Sequence, residues 1–187
     1  MDNALNFKNR NIAITDLETT GLDPLKHEII EIGLVLIKQP SLEIIETINI
    51  KVKPQNIETA SPEALQLNGY KAKEWENAME LKDALTIYLE KTKDAIFCAH
   101  NHNTNFDFPF IKQACMKMNL TSTMDYHCID IPTLVWLKYR TSGLEKINLS
   151  KVAEFIGLES EPAIHRAING AMLAYKVLKK IILESEK

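Results

Sequence analysis

Short apolar runs separated by turn-forming residues dominate the first fifty positions of the chain. The run "NIAIT" is rich in β-branched residues and stops at an acid, which is typical of a buried strand that brings polar groups to its end. The runs "EIIEIGLVLIK" and "LEIIETINIKVKP" follow, and the short "QPS" connection between them suits a hairpin. The pattern therefore predicts an antiparallel meander.

Helical signals begin at residue 61. In "SPEALQLNG", Ser61 is placed as an N-cap, Pro62 as the first helical residue and Gly69 just beyond the helix end. The segment "NAMELKDALTIYLEKT" repeats apolar residues at helical spacing. Next, "DAIFCAH" predicts a strand and "NFDFPFIKQACMKMN" a helix that tolerates Pro109 only in its first turn. Asp107 is therefore expected close to a strand-to-helix junction.

The last third of the chain carries three further segments with the apolar spacing of amphipathic helices. They are "CIDIPTLVWLKY", "INLSKVAEFIGL" and "AINGAMLAYKVLKKIILESEK". No repeat, low-complexity stretch or polar linker divides the chain. We predict an α/β fold, one layer of sheet with helices packed on it, in a single domain over residues 1–187.

Composition narrows the classes of protein that this chain can belong to. Its 187 residues are 45% hydrophobic, enough for a full core, and its net charge of −3 provides no large positive field for long nucleic acids. Cys98, Cys115 and Cys128 lack disulfide or zinc spacing, which favours a reducing compartment. The start is too polar for a signal peptide, and no apolar run approaches the ~18 residues of a membrane span. We expect a cytoplasmic protein without membrane contact.

The stretch "ITDLETTGLD" contains the first candidate for chemistry. Asp16 and Glu18, at positions i and i+2 of a strand, share one face, where their charges repel unless cations lie between them. Carboxylate oxygens favour Mg²⁺ or Mn²⁺, and two such ions ~4 Å apart commonly serve phosphodiester hydrolysis. Many surface strands carry D-x-E with nothing bound. The turn-forming "TTGLD" that follows, however, could hold a phosphate or a terminal sugar.

A second polar cluster lies in "CAHNHNTNFDFPFI". Its polar members before the helix are His100, His102, Asn103 and Asn105. We interpret both histidines as solvated members of an Asn-rich turn, because sites for hard metal ions seldom need imidazole. Asp107 follows an aromatic residue that could stack on a base, and it could supply a third oxygen ligand.

His165 precedes the last predicted helix, in "EPAIHRAINGAMLAYKVL". Histidine is the side chain best suited to proton transfer at neutral pH, so a half-exposed imidazole there could take the proton of an attacking water. A histidine that caps or packs against the helix is the competing interpretation. Only neighbouring residues can decide between them.

Taken in order, these motifs resemble the DEDDh (DnaQ-like) 3′-5′ exonucleases. "DLETTGLD" is similar to the first motif of that family (D-x-E-T-T-G), "HNTNFDFPFI" to the second (H-N-x-x-F-D-x-x-F) and "HRAINGA" to the third (H-x-A-x-x-D-A). "CIDIPTL" resembles the intervening strand and helix, so the match spans nearly the whole chain. The resemblance implies an RNase H-like mixed β-sheet flanked by α-helices.

The resemblance also implies roles for the acids and the histidine. Asp16 would bridge two metal ions, and Glu18 would serve the ion that activates water. Asp107 would hold the second ion, partly through water, and His165 would be the general base. The ions would be Mg²⁺ or Mn²⁺.

Five further residues resemble positions that line the substrate. Thr19, Thr20 and Leu22 would surround the 3′-terminal nucleotide, with Leu22 as a wedge against its base. Asn103 and Phe106 would form the neighbouring wall. The implied substrates are 3′ ends of single-stranded DNA or RNA.

One position departs from the family pattern, because Gly170 stands where the last aspartate is required. Asn169 is adjacent, but it is neutral and points ~100° away on a helix, which makes it a weak substitute ligand. We expect a metal-dependent exonuclease that releases nucleoside 5′-monophosphates and holds either the two ions of the family or one. The alternatives are an impaired or inactive member that binds nucleic-acid ends or a protein partner, and a replacement made to trap substrate.

Overall fold

A mixed sheet forms the centre of the computed structural model, which describes residues 6–100 and 106–185. Within those residues, the sheet has five strands in the order β3-β2-β1-β4-β5. The strands are β1 (Ile12–Thr19), β2 (Ile29–Ile37), β3 (Ile44–Lys51), β4 (Ile96–Ala99) and β5 (Cys128–Asp130). β1, β2 and β3 pair antiparallel, which confirms the predicted meander, whereas β4 pairs parallel to β1 and β5 parallel to β4.

Helices lie on both faces of this sheet. They are α1 (Pro62–Leu67), α2 (Leu81–Lys91), α3 (Asp107–Met118), α4 (Ile131–Tyr139), α5 (Leu149–Phe155) and α6 (Ala167–Ser185). The predicted cap of α1 is confirmed, because the backbone amide of Ala64 donates to the Ser61 hydroxyl at 3.3 Å. Pro109 lies in the first turn of α3, as expected.

Two predicted helices begin later than their apolar spacing indicated. In "NAMELKD", Met79 instead forms a parallel bridge with Val52, and α2 starts at Leu81. In "CIDIPTLVWLKY", the first three residues form β5, and the Asp130 side chain then caps α4 by accepting from the Thr133 amide. In both cases tertiary pairing with the sheet overrides the local periodicity.

The apolar core consists of two clusters, one on each face of the sheet. Residues of β1 alternate between them: Ile14 packs under α5 and α6, and Ala13 packs under α2 and α3. This two-sided burial explains why β2 and β4 are nearly continuous apolar runs. Among the described residues, no helix is long and apolar enough to cross a membrane.

The three thiols are free, as the cysteine spacing predicted. Cys98 and Cys115 are buried, where they act as small apolar side chains. Cys128, at the start of β5, is exposed.

Helix α6 approaches the sheet closely at Gly33 of β2. A Cβ at this position would lie 2.2 Å from the carbonyl carbon and oxygen of Ala167, the first residue of α6. Backbone atoms cannot move away as the end of a side chain can, so the absence of a side chain at Gly33 sets how closely α6 packs.

We expect Gly33→Ala to lower the free energy of unfolding by about 3 kcal/mol, the upper part of the usual range for an overpacked core. Urea denaturation followed by circular dichroism measures this loss. Gly143→Ala is the matched control, because a Cβ at Gly143 meets nothing within 4 Å. An unchanged urea midpoint for Gly33→Ala would show that α6 does not pack on β2 as described.

Candidate active site

The acidic pair lies on one face of β1, opposite a third carboxylate that the sequence analysis missed. Asp16 pairs with Gly33 of β2 and Glu18 pairs with Glu31, so Glu18 and Glu31 face the same side of the sheet. Glu31 is fully buried, and its Oε2 accepts the amide of Ala167 at 3.4 Å. Its position inside the apolar run "EIIEIG" was a signal, but its neighbour across the sheet depends on the register of β2.

Asp107 is the first residue of α3 and is completely buried. Neither of its carboxylate oxygens makes a hydrogen bond of good geometry to a described residue. Its charge is close enough to Asp16 to raise the pKa of that carboxyl. The structure therefore brings together the three acids that the sequence predicted, from β1 and α3.

Burial and mutual repulsion make these carboxylic acids weak. Burial raises the pKa of Asp16 well above its usual value, and the charges of Asp107 and Glu18 raise it further. Burial, then the charge of Glu31, raises the pKa of Glu18 to about 8. Burial also raises the pKa of Asp107, which the nearby amide of Leu17 partly offsets. Carboxylates in such a site are stabilised either by protonation or by a bound cation.

These residues fit a divalent cation in their chemistry. Carboxylate oxygens are the ligands of Mg²⁺ and Mn²⁺, and the buried oxygens of Asp107 lack other partners of good geometry among the described residues. In residues 6–100 and 106–185, however, no three acidic, histidine or cysteine side chains are arranged to hold one ion. A site with three protein ligands therefore requires the carboxylates to change their orientation, whereas one or two carboxylates can hold an ion together with water or substrate oxygens.

The raised pKa values predict that the metal-free protein loses stability as pH rises from about 4.5 to about 8. In that interval Glu18 ionises in the unfolded chain, whose pKa is near 4.5, but stays protonated in the folded chain until about pH 8. Protons thus favour the folded state, and raising the pH removes that contribution. Thermal melting in EDTA across this range measures the effect, and Glu18→Gln should flatten the decline. Stability that rises over the same interval would contradict the assigned burial.

The turn after β1 shapes one wall of a cleft of about 530 Å³ that also contains Asp16 and Glu18. Thr19 and Leu22 line this cleft, and Leu22 is 80% exposed, as suits a side chain that contacts a ligand. Thr20 lies behind the wall: it is fully buried, and its hydroxyl accepts the amide of Glu28 at 2.9 Å. Thr20 is therefore placed to build the turn, not to line the cleft.

Helix α1 holds this turn in position. The amide of Ser61 donates to the carbonyl of Thr20 at 2.7 Å, and the side-chain amide of the buried Asn68 donates to the carbonyl of Thr19 at 3.0 Å. The cap and the end of α1 thus fix two consecutive carbonyls of the turn. Sequence analysis identified the helix but gave no sign of this contact.

His165 is half-buried and lines the same cleft, two residues before α6. Its amide donates to the carbonyl of Leu67 at 3.1 Å, so the end of α1 fixes its backbone. Arg166 donates to the carbonyls of His165 and Asn68. The structure thus brings His165 to the cleft that holds Asp16 and Glu18.

The position of the missing aspartate is occupied by another side chain. A Cβ at Gly170 would lie 2.4 Å from Oδ2 of Asp16, so the Asp16 carboxylate rests directly against the backbone of α6. Asn169 is half-buried and does not line the cleft. The geometry gives Asn169 no support as a substitute ligand.

The second polar cluster is described only in part. Asn103, His102 and Asn105 lie outside the described residues, so the predicted contact of Asn103 with substrate stays a prediction. Phe106 lines the cleft. The expectation of a solvated His100 was wrong, because this residue is buried and its ring Nε2 lies 2.8 Å from the carbonyl of Ile147.

Comparison with known proteins identifies the class. Residues 13–178 match the RNase T exonuclease family model. The chain therefore belongs to this family of exonucleases. Its members are nucleases that act on nucleic-acid ends and depend on divalent metal ions.

Individual relatives agree with this assignment. The chain is 32% identical over 169 residues to the PolC-type DNA polymerase III of Caldanaerobacter subterraneus subsp. tengcongensis, covering 90% of this chain but 11% of that protein. The chain thus spans about a tenth of the length of that relative.

Solved structures confirm the fold. The nuclease domain of 3′hExo, a DEDDh family member bound to rAMP, superposes with a TM-score of 0.75 at 19% identity, covering 94% of this chain and 93% of that one. The complex of Escherichia coli ExoI with single-stranded DNA gives 0.80 at 14% identity, covering 96% and 42% of the two chains. The mixed sheet and its flanking helices are therefore the RNase H-like arrangement that the motifs implied.

Proposed function

We propose that this chain is a metal-dependent 3′-5′ exonuclease that hydrolyses single-stranded DNA or RNA ends and releases nucleoside 5′-monophosphates. The observation that carries the proposal is the convergence of Asp16 and Glu18 with His165 in one cleft, with Asp107 buried beside Asp16. Phosphodiester hydrolysis needs oxygen ligands for metal ions, a general base and a surface that holds the strand end. The carboxylates, the imidazole of His165 and the turn after β1 offer these three.

The charges of the cleft support a requirement for metal ions. Asp16, Glu18, Glu63 and Glu161 are among the residues that line it, and none of its described lining residues is lysine or arginine. A phosphodiester would meet acidic side chains and no cationic side chain there, so bound cations are needed both to ionise those acids and to hold a nucleic-acid end. We propose Mg²⁺ or Mn²⁺, because the available ligands are carboxylate oxygens.

The metal ions and the residues of the cleft would have separate roles in the reaction. Bound divalent ions would lower the pKa of a water molecule and stabilise the charge of the leaving oxygen. His165, held at its backbone by Leu67, would accept the proton of that water at its ring nitrogen. Leu22 and Phe106 offer apolar contacts to the terminal base, and the hydroxyl and amide groups of the turn offer contacts to its sugar.

A single-stranded oligonucleotide labelled at its 5′ end tests the proposal. We expect stepwise shortening of the oligonucleotide with Mn²⁺ or Mg²⁺ and no shortening in EDTA. An oligonucleotide with a blocked 3′ end should stay intact. DNA and RNA oligonucleotides of the same sequence distinguish the two substrate classes. A folded protein that leaves every 3′ end intact with either ion would overturn the proposal.

A binding module without turnover is the second candidate, and Gly170 is the observation that favours it. Loss of an acidic ligand weakens a metal site, yet the cleft could still hold a 3′ end. In that case fluorescence anisotropy would detect binding of the oligonucleotide with Mn²⁺, while the same sample shows no shortening. Detectable shortening that Asp16→Asn removes would rule this candidate out.

A further inference from the structure

Glu161 is the acidic residue of the cleft that the family motifs do not explain. It lies on the segment between α5 and α6, four residues before His165, and it is half-buried. It lines the cleft together with Asp16, Glu18 and His165. A carboxylate there loses hydration and gains like-charged neighbours, which is unfavourable unless a cation balances it.

We propose that Glu161 supplies the carboxylate that Gly170 lacks, so that the fourth acidic ligand of the metal site comes from the loop before α6 and not from the helix itself. This inference rests on the proposed function, because it assigns one more residue to the same metal site. It would also explain how a chain without the last motif aspartate retains a complete set of acidic ligands.

Glu161 lines the same cleft as both acids of β1, and its charge acts on each of them. Its charge contributes, after burial and nearer acids, to the raised pKa of Asp16. It contributes to the raised pKa of Glu18 as well, after burial and the charge of Glu31. Burial raises the pKa of Glu161 itself, and His165 opposes that rise, so Glu161 also lies near the proposed base.

Two further observations point to a cation at this place. The buried carboxylate of Asp107, at the start of α3, has no hydrogen-bond partner of good geometry among the described residues. The Asp16 carboxylate fills the space beside Gly170, so an acid on α6 is excluded while Asp16 keeps that position. Two further acids line the cleft with Asp16 and Glu18. Glu63 is exposed and accepts the Ser61 hydroxyl, which leaves the half-buried Glu161 as the candidate.

Glu31 is the competing substitute, and its contacts argue against it. It is fully buried and does not line the cleft. Its Oε2 accepts the amide of Ala167, which ties it to the start of α6. We therefore assign Glu31 a positioning role at the junction of sheet and helix, and Glu161 the role of metal ligand.

Binding of Mn²⁺, measured by calorimetry at pH 8 without nucleic acid, tests the assignment. We expect Glu161→Gln to weaken the affinity by about tenfold or more, since even outer-shell partners of metal ligands contribute roughly 10–100-fold. Glu159→Gln is the matched control: it removes the same charge from an exposed residue of the same segment and should keep wild-type affinity. Melting curves in EDTA check folding, and Glu161→Gln should melt no lower than wild type.

The other outcomes are equally decisive. Equal Mn²⁺ affinities for Glu161→Gln and wild type would overturn the assignment. Equal losses of affinity in Glu161→Gln and Glu159→Gln would also overturn it, because they would indicate a general effect of net charge. In Glu161→Gln, adding Gly170→Asp should restore at least part of the lost affinity. If Glu161→Gln binds Mn²⁺ normally while Asp16→Asn does not, this inference fails and the proposed function stands. A wild-type chain that neither binds Mn²⁺ nor shortens an oligonucleotide would overturn both.

Discussion

Asp16→Asn is expected to abolish both Mn²⁺ binding and shortening of an oligonucleotide, with a fall in rate of more than about 100-fold. The charges of the other acids act on Asp16: its pKa is raised by burial, then by the charges of Asp107, Glu18 and Glu161. A ligand in contact with the ion should contribute more than the roughly 10–100-fold of its outer-shell neighbours. Radiolabelled single-strand assays and calorimetry measure the two losses on the same preparation.

The stability of Asp16→Asn distinguishes loss of function from loss of fold. Asparagine keeps the shape of aspartate and removes a buried charge from among like charges, so the variant should melt no lower than wild type in EDTA at pH 8. Addition of Mn²⁺ should then raise the melting temperature of wild type but not of the variant, because a ligand stabilises only the state that binds it. A variant that still gains stability from Mn²⁺ would show that Asp16 is not a ligand.

Gly170→Asp is expected to make folding strongly dependent on divalent ions. A Cβ there lies 2.4 Å from Oδ2 of Asp16, so the Asp16 carboxylate must move, and a further negative charge joins the buried acids. In EDTA we expect a loss of about 1–3 kcal/mol in the free energy of unfolding, the usual cost of overpacking. Because the obstructing atom is the end of a side chain, this loss should be smaller than that of Gly33→Ala, which meets backbone.

Manganese should reverse that loss, because the ion draws the carboxylates together and balances their charge. The rise in melting temperature with Mn²⁺ should therefore be larger for Gly170→Asp than for wild type. Gly170→Asn is the matched control, since it has the same size and the same contact with Asp16 but carries no charge. Equal responses of Gly170→Asp and Gly170→Asn to Mn²⁺ would mean that residue 170 does not face the metal site.

Most of the fold could be predicted from sequence because its signals are local. Strands buried on both faces read as continuous apolar runs, and the Ser61 cap of α1 and the first-turn Pro109 of α3 obey local backbone rules. The failures occurred where distant segments pair. Met79 was predicted to be helical but bridges Val52, and no local pattern encodes that contact.

The residues of the candidate site likewise include some that the sequence predicted and some that it did not. Asp16, Glu18 and His165 could be assigned because their spacing in the motifs fixes where they lie on β1 and before α6. Glu31 and Glu161 were missed because their proximity to these residues depends on strand register and on the path of a loop.

The assignments of Thr20 and His100 show what a motif alone cannot predict. Thr20 belongs to the motif "TTG" and was expected to contact substrate. Its hydroxyl instead accepts the backbone amide of Glu28 within the turn. His100 was interpreted as solvated from its polar neighbours, yet it is buried beside the carbonyl of Ile147. A motif identifies residue types, whereas which side of the backbone each side chain faces depends on packing.

The location of bound Mn²⁺ tests the central claim most directly, and anomalous scattering from crystals grown with Mn²⁺ and a nucleoside 5′-monophosphate measures it. We predict an anomalous peak within coordination distance of Asp16, with Glu18 or Asp107 as a second ligand and the nucleotide phosphate against the ion. Crystals with the nucleotide in the cleft and no peak near these carboxylates would contradict a metal-dependent exonuclease site.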